Sequence, residues 1–396
     1  MTFSARLPAE RTANNLTRAV QQARACGLPL IDLTESNPTR AGFEYPESLL
    51  APLGDARGLV YEPCPFGLLD ARRAVSRDYA RRGTSVAADR IVLTASTSEA
   101  YSVLFKVLAD PGDEVLVPRP SYPLFDHLTR LDLVTAKPYD LEYHGAWSVD
   151  FGSVERALTS RTRAVLLVTP NNPTGSFVAR PELKKLEALC AGRDVAIIAD
   201  EVFADYELRV GARSGGGRVL DCRDALAFSL GGLSKSAGLP QVKLAWIAAA
   251  GPQAAVSEAL ERLEIVCDAY LSVSTPIQLA TPELLERAEI IRRQIQARIA
   301  ANYQQLTERV AAMPSCTALQ ADGGWYGILQ VPSFSSEEDL VVDLVTKKSV
   351  LAHPGFFFDF PRESYLIVSL LPLPAAFAEG IDRVLRHLEA LGDGHV

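Results

Sequence analysis

The chain has 396 residues, of which 48% are hydrophobic, and a formal net charge of −8. This length and apolar content suffice for a large core and favour two domains over one. The acidic balance, without any basic stripe, argues against nucleic acid as a partner.

Metal, disulfide and membrane features are not predicted. The six cysteines are scattered without a CxxC pair, and the five histidines form no HExxH motif, so neither a zinc site nor a disulfide framework is expected. The N-terminus lacks a long apolar segment, and no apolar run approaches the roughly 18 residues of a membrane helix. We therefore expect a reduced, cytoplasmic protein without a membrane partner.

The N-terminal part predicts a helix, a strand and a long loop. Apolar residues at helical spacing predict a helix over residues 9–26, with Gly27 as its C-cap. Residues 31–34 predict a short strand, which ends where an Asn-Pro pair favours a turn. The Pro- and Gly-rich residues 41–67 predict a loop with short turns.

From residue 69 onward, predicted helices and strands alternate. The strands are nearly continuous apolar runs, which is typical of a mostly parallel sheet covered by helices on both faces. The predicted helices span residues 69–82, 99–108, 123–131, 153–158 and 181–190. The predicted strands span residues 91–93, 114–117, 133–138, 164–168, 195–199, 225–230 and 244–250.

The C-terminal part predicts a long helical region followed by a smaller α+β unit. Helices are predicted over 253–269, 281–312, 337–347 and 376–391, and strands over 326–331, 350–351 and 365–370. We predict the α/β class, with a large domain at residues 46–279. A smaller α+β domain is predicted from both termini, at residues 1–45 and 280–396.

Polar loops follow several predicted strands, where ligands bind in open α/β sheets. Small hydroxyl residues fill the first loop, Thr94–Glu99, and can bind an anion at the start of a helix. An ordinary N-cap is the alternative. In the second loop, Asn172 can donate to a phenolate-like oxygen, or the loop is a plain turn.

Two charged residues and a tyrosine follow other strands. Asp200 needs a cationic partner at a buried strand end, such as a protonated pyridine nitrogen; a structural salt bridge or N-cap is the alternative. Lys235 lies in a Gly-rich segment between apolar runs. Desolvation there lowers its pKa and makes it a nucleophile for carbonyl carbons, unless it is a solvated surface lysine. Tyr122 can stack on a flat ring or simply pack.

Together these motifs resemble the class I/II aminotransferases among the fold-type I pyridoxal-phosphate-dependent enzymes. The resemblance extends from Leu33 to about Leu388. It rests on the order and spacing of five motifs, which lie at residues 94–100, 111–123, 170–175, 200–206 and 234–243.

The resemblance implies the cofactor pyridoxal 5′-phosphate and a role for each matching residue. The implied roles are covalent anchor and proton shuttle for Lys235, partner of the pyridine nitrogen for Asp200, donor to the ring 3-oxygen for Asn172, ring stacking for Tyr122, and phosphate binding for Ser96, Thr97 and Ser98. Tyr61 resembles the tyrosine that reaches the phosphate across a dimer interface, which implies a homodimer.

Four positions depart from the family pattern. Phe203 replaces a tyrosine that bonds the 3-oxygen, and Gly232 replaces a phosphate-binding serine. Lys243 replaces an arginine at the phosphate and lacks its bidentate fork. Ile367 stands where the family has an arginine for the substrate α-carboxylate. The cofactor site is therefore expected to be intact and the substrate site altered.

The substrate carboxylate needs another partner if Ile367 cannot bind it. Arg362 is the nearest candidate in the sequence, with Ser36, Asn37 and Asn172 assisting. The alternative is that Arg362 is a solvated loop residue.

We predict an aminotransferase that moves an amino group between a small or neutral amino acid and a 2-oxo acid by ping-pong transamination. One alternative is a lyase or decarboxylase on the same cofactor, which would release products such as pyruvate and ammonia. The other is a non-catalytic regulatory or binding protein, which would bind no cofactor.

Overall fold

The computed structural model describes residues 3–8 and 12–393. It contains a large mixed sheet flanked by helices and a separate antiparallel sheet, so the predicted α/β class is confirmed. The domain boundaries at residues 45/46 and 279/280 stay a prediction. None of the helices in the described ranges is both long and apolar enough to cross a membrane.

The helices and strands are numbered in chain order. The α-helices are α1 (Asn15–Ala25), α2 (Leu69–Arg81), α3 (Thr97–Leu108), α4 (Leu124–Leu131), α5 (Phe151–Ala157), α6 (Arg180–Ala191), α7 (Ala212–Gly215), α8 (Leu233–Ser236), α9 (Gln253–Tyr270), α10 (Thr275–Ala311), α11 (Glu337–Lys348) and α12 (Pro374–Asp393). The strands are β1 (Ile31–Asp32), β2 (Ile91–Thr94), β3 (Glu114–Arg119), β4 (Thr135–Tyr143), β5 (Trp147–Val149), β6 (Thr162–Val168), β7 (Ala196–Asp200), β8 (Ala227–Gly232), β9 (Ala245–Ala250), β10 (Thr317–Ala318), β11 (Tyr326–Gln330), β12 (Val350–Leu351), β13 (His353–Pro354) and β14 (Tyr365–Ser369). Short 3-10 helices lie at Glu47–Gly54, Ala56–Leu59, Ala88–Arg90, Val219–Asp221, Pro240–Val242 and Gly355–Phe358.

The large sheet brings most of the polar loops to one edge. Its strand order is β2-β9-β8-β7-β6-β3-β4-β5. Strands β8, β7, β6, β3 and β4 run parallel to one another. Strand β9 is antiparallel to both β8 and β2, so β2 points the same way as the parallel strands. The carboxyl ends of β2 and the parallel strands therefore meet at one edge, together with the amino end of β9.

Helices cover both faces of this sheet because its strands are apolar on both sides. Neighbouring residues of β7 point to opposite faces. Ile198 packs in a buried cluster with residues of α3 and α9, whereas Ile197 packs with Leu183 and Leu186 of α6. Burying each such side chain contributes about 1.5–3 kcal/mol relative to leaving it in water.

The smaller four-stranded sheet lies in the C-terminal part of the chain, and a separate two-stranded sheet joins the N-terminal segment to this part. The order of the four-stranded sheet is β10-β11-β14-β13, with antiparallel pairing throughout. Strand β1 pairs in parallel with β12, and the Ser369 N–H donates to the Leu33 carbonyl. The N-terminal segment is thereby attached to the C-terminal part, as the predicted fold class requires.

Several element bounds differ from the predicted ones. The predicted first helix begins with residues 9–11, which lie outside the described residues. Helix α10 begins at Thr275, because Pro276 occupies its first turn and Pro282 lies inside the helix. The sequence placed the start near Pro282, since proline favours a first helical turn.

Strand β4 continues to Tyr143, although Pro138 predicted its end. Pairing of β4 with β5 begins only at Leu141, so in the described part of the chain Pro138 lies where β4 is an edge strand. A proline is tolerated there because no ladder bond needs its missing N–H. The short strands β5, β10 and β13 were not predicted.

Candidate active site

The loops at the common edge of the large sheet enclose a cavity of about 350 Å³. Its walls include most of the predicted site residues, namely Ser36, Ser96, Thr97, Ser98, Tyr122, Asn172, Asp200, Lys235 and Lys243, and also Phe203 and Gly232, two of the positions that depart from the family pattern. These residues come from seven separate segments of the chain. The sheet topology brings most of them together because strands of the large sheet end at the same edge, whereas Ser36 follows β1 of the two-stranded sheet.

Lys235 lies on the one-turn helix α8 directly after β8. The Tyr206 hydroxyl donates to its carbonyl oxygen at 2.7 Å and holds this turn. Its Nζ lies 5.1 Å from the centre of the Trp325 ring and 5.8 Å from that of Phe203. Burial lowers the pKa of the Lys235 ammonium, although the charge of Asp200 opposes this. The lysine is therefore suited to act as a neutral amine.

Asp200 ends β7 and points into the cavity. Its carboxylate accepts hydrogen bonds from the Val202 N–H at 3.1 Å and from the Tyr101 hydroxyl at 3.3 Å. Burial raises the pKa of the Asp200 carboxyl to about 6, and these two hydrogen bonds lower it only in part. The negative charge of a carboxylate in such surroundings is only partly compensated by its hydrogen bonds, so a cationic ligand would stabilise it.

The start of α3 forms one end of the cavity. Ser96 is its N-cap and accepts a hydrogen bond from the Glu99 N–H at 3.1 Å, while Glu99 accepts one from the Ala95 N–H at 2.5 Å. These hydrogen bonds agree with the alternative prediction that this loop forms an ordinary N-cap. Thr97 and Ser98 begin the helix, where first-turn N–H groups lack intrahelical acceptors and favour an anion.

Gly232 and Lys243 lie near the same end of the cavity. A Cβ added to Gly232 would lie 3.0 Å from the Ala245 Cβ and 3.1 Å from the Leu244 carbonyl oxygen. This close approach explains why a serine is absent here. Lys243 is exposed and has a left-handed backbone, with φ of 57° and ψ of 56°.

The middle of the cavity combines an amide with aromatic rings. Asn172 is buried, and its Oδ1 has no hydrogen-bond partner among the described residues. Tyr122 is 47% exposed. Phe203 is buried and packs edge-on against Trp325, with 5.2 Å between the ring centres. These side chains leave room for a flat ligand that carries a polar substituent.

Three contributors to the site were missed by sequence reasoning. Tyr101 reaches Asp200 from α3, and its position in an apolar helical pattern predicts only packing. Tyr326 is the first residue of β11 and was predicted only as a strand residue, and Trp325 directly precedes it. An aromatic pair directly after two glycines was the available signal, since glycines permit close approach of a backbone.

Three predicted site residues, Tyr61, Asn37 and Arg362, do not line the cavity, and neither does Ile367. Tyr61 is 68% exposed and lines a separate small pocket. The Asn37 side chain accepts from the N–H and hydroxyl of Thr39 instead. Arg362 is exposed and donates to the Tyr365 hydroxyl at 3.3 Å. Ile367 is fully buried in β14. The substrate roles of Asn37 and Arg362 stay predictions.

Comparisons with known proteins agree with this geometry. The sequence profile of the family "Aminotransferase class I and II" matches residues 53–372. A glutamate-pyruvate aminotransferase of Haemophilus influenzae is 26% identical over 373 residues, with 91% of each chain covered. An alanine aminotransferase of Mycobacterium bovis is 26% identical over 370 residues, which are 90% of this chain and 85% of that protein.

A solved structure supports the fold. The alanine aminotransferase of Pyrococcus furiosus has a TM-score of 0.85 and 22% identity, covering 96% of this chain and 100% of that one. Since the profile match covers most of the chain, this protein belongs to the class I and II aminotransferases.

Proposed function

We propose that this aminotransferase uses pyridoxal 5′-phosphate, with Lys235 as its covalent anchor. The observation that carries the proposal is a desolvated lysine amine and a buried carboxylate, Asp200, in the walls of one cavity. Burial lowers the pKa of the Lys235 ammonium and raises that of the Asp200 carboxyl, and such perturbed pairs are typical of catalytic sites.

The residues present fit this cofactor part by part. The α3 terminus with Thr97 and Ser98, together with Lys243, suits a phosphate dianion. Asp200 suits a protonated pyridine nitrogen. The buried amide of Asn172 suits a polar ring substituent. A cavity of about 350 Å³ is within the usual size range of cofactor sites.

The chain's own residues would bind the cofactor and move protons. Pyridoxal phosphate supplies an electron sink when it is bound. Asp200 is ionised above a pKa of about 6 and would hold positive charge at the pyridine nitrogen. The Lys235 amine, kept from water by Trp325 and Phe203, would accept the proton that leaves the amino acid's Cα.

We further propose that the amino donor is a small or neutral amino acid and the acceptor a 2-oxo acid. The name of one relative, alanine aminotransferase, supports a small neutral amino acid, and the name of the other, glutamate-pyruvate aminotransferase, supports pyruvate as a 2-oxo acid substrate.

A cytoplasmic homodimer is part of the same proposal. Leu59, Val60 and Tyr61 are large apolar residues that are each more than two-thirds exposed, and Tyr270 beside the Tyr61 pocket is also exposed. A second copy of the chain would cover them and receive Tyr61 at its phosphate end. Light scattering on the purified protein tests the dimer.

Mixing the purified, cofactor-loaded protein with a panel of amino acids and following the cofactor's absorbance tests the function. Conversion by small neutral amino acids, reversed by 2-oxo acids, is the expected result. Release of pyruvate and ammonia would instead indicate a lyase. A protein that binds no pyridoxal phosphate would contradict the proposal altogether.

A further inference from the structure

One corner of the cavity carries hydroxyl and amide groups rather than a cation. It is formed by Ser36, Asn172 and Tyr326. Burial raises the pKa of the Tyr326 hydroxyl to about 12, although hydrogen bonding with Ser36 and Asn172 lowers it. Tyr326 is therefore protonated at neutral pH and can donate a hydrogen bond. Asn172 adds an amide whose oxygen is unpartnered among the described residues.

The smaller sheet builds this corner through Ser369. Tyr326 and Ser369 are register partners in the antiparallel pair of β11 and β14. The Ser369 N–H donates to the Leu33 carbonyl, and its hydroxyl donates to the Glu35 carbonyl at 2.6 Å. These bonds fix the segment that carries Ser36 next to the strand that carries Tyr326. The two hydroxyls are thus positioned by backbone contacts rather than by chance.

The neighbouring position on the same sheet face is also uncharged. Ile367 lies two residues before Ser369 and so points to the same face of β14. It is fully buried and pairs with Ile328 on one side and His353 on the other. Burial lowers the pKa of the His353 imidazole to about 4, so this ring is neutral at pH 7. The strand offers no cation to a ligand here.

Arg298 and Arg362 do not line the cavity and make other contacts. Arg298 donates to the carbonyls of Ala41 and Leu371 at 3.1 and 2.9 Å. Arg362 is exposed and donates to the Tyr365 hydroxyl. The lysines in the described cavity walls are Lys235 and Lys243. Both already have roles in the proposed function.

We propose that Tyr326, with Ser36 and Asn172, binds the α-carboxylate of the amino acid through neutral donors, and that Tyr326 is the specificity-determining residue. The inference rests on the proposed function, because it assigns a substrate group to the same cavity. A carboxylate that binds only neutral donors regains only part of the free energy that it loses when its hydration water is removed. Its binding is accordingly weaker than in an ionic pair.

A site of this kind discriminates little between an acid and its amide. A guanidinium accepts nothing and favours the carboxylate strongly. Hydroxyls both donate and accept, and the Asn172 Oδ1 can accept an N–H from an amide ligand. An amide of the same size should therefore bind almost as well as the acid.

The experiment uses a ligand pair that binds without amino transfer. 2-Methylalanine and its amide lack a hydrogen on Cα, so their equilibrium Kd can be measured on the cofactor-loaded protein by calorimetry. We expect the wild-type Kd values to lie within roughly tenfold of each other. Tyr326→Phe should weaken binding of the acid by about 10- to 100-fold, the effect of losing a hydrogen bond to a charged group.

Matched variants keep the result specific. Tyr365→Phe removes a hydroxyl from a residue outside the cavity and should leave both Kd values unchanged. Ser36→Ala should weaken acid binding in the same direction as Tyr326→Phe, so the inference stays testable if one variant folds poorly. Thermal unfolding identifies such a variant.

Failure of the inference differs visibly from failure of the proposed function. A wild-type protein without the absorbance of bound pyridoxal phosphate contradicts the proposed function. A loaded Tyr326→Phe variant that binds the acid as tightly as wild type overturns the inference alone. So does an amide that binds more than about 1,000-fold more weakly than the acid, since this indicates a cation. Loss of acid binding in Arg362→Ala but not in Tyr326→Phe also overturns it.

Discussion

Lys243 adopts a backbone conformation that its residue type disfavours. Its φ of 57° and ψ of 56° lie in the left-handed region, two residues before β9 begins. A non-glycine residue pays about 1–2 kcal/mol there relative to the right-handed region. Strain of this kind persists at functional sites when a side chain is needed. The side chain lines the cavity, so we expect it to bind the cofactor's phosphate.

Replacing Lys243 by glycine separates backbone strain from charge. Relief of about 1–2 kcal/mol of strain is offset by about 0.5–1 kcal/mol of extra unfolded-state entropy. The cofactor-free variant should thus be as stable as wild type or up to about 1.5 kcal/mol more stable. A shielded hydrogen bond to a phosphate is worth about 1.5–3 kcal/mol. Because Lys243 is exposed, about 1 kcal/mol is more realistic, a loss of affinity of roughly fivefold.

Two measurements test whether Lys243→Gly keeps or raises stability while it weakens cofactor binding. Urea unfolding of the cofactor-free protein gives the stability, and equilibrium dialysis with absorbance detection gives the affinity for pyridoxal phosphate. Ser349→Gly is the matched control, since Ser349 has φ of 54° at the end of α11 and does not line the cavity. It should change stability alone. The difference in affinity should shrink at high salt. Equal affinities for all three proteins at low salt would refute the role of Lys243.

Three further predictions concern the centre and the phosphate end of the site. Lys235→Ala should keep the fold but lose turnover, and wild-type rates in this variant would contradict its role. Burial raises the pKa of Asp200 to about 6, so the folded protein holds this proton more tightly than the unfolded chain. Stability of the cofactor-free wild type should fall as pH rises from about 4 to about 6, by about 2–3 kcal/mol from this group. Asp200→Asn should lack this fall and should also lose turnover. Parallel stability–pH curves for wild type and this variant would exclude Asp200 as the group that causes the fall. Gly232→Ser should cost about 1–3 kcal/mol through crowding against Ala245. Ala245→Gly should restore much of this stability in urea unfolding, and no rescue would place the strain elsewhere.

The sequence predicted those site residues that follow a strand of the parallel sheet. Lys235, Asp200 and Asn172 each come after an apolar run, and strand ends of a parallel sheet share an edge. The apolar runs also indicated the fold class. What the runs did not show is that β9 is reversed between β8 and β2. This reversal places Lys243 beside the helix end that carries Ser96.

Contacts between distant segments could not be predicted. The Tyr101 hydroxyl reaches Asp200 across 99 positions of sequence, and apolar periodicity marks Tyr101 only as a core residue. The two-residue strands β10 and β13 exist because β11 and β14 supply partners, and two residues carry too little pattern to predict a strand. Tyr326 was likewise not predicted as a site residue, because its place there depends on its pairing with Ser369 in a distant strand.

The departures from the family pattern have a common physical character. Phe203 lies against Trp325 and near the Lys235 amine, where a ring without a hydroxyl keeps water away from that nitrogen. Ile367 places a buried apolar side chain where the family has a cation. Burial is the main cause of the lowered pKa of the Lys235 ammonium. The groups expected to do the chemistry are therefore present, while the groups that select and retain ligands differ. Substrate range, rather than reaction type, is where this chain should diverge from its relatives.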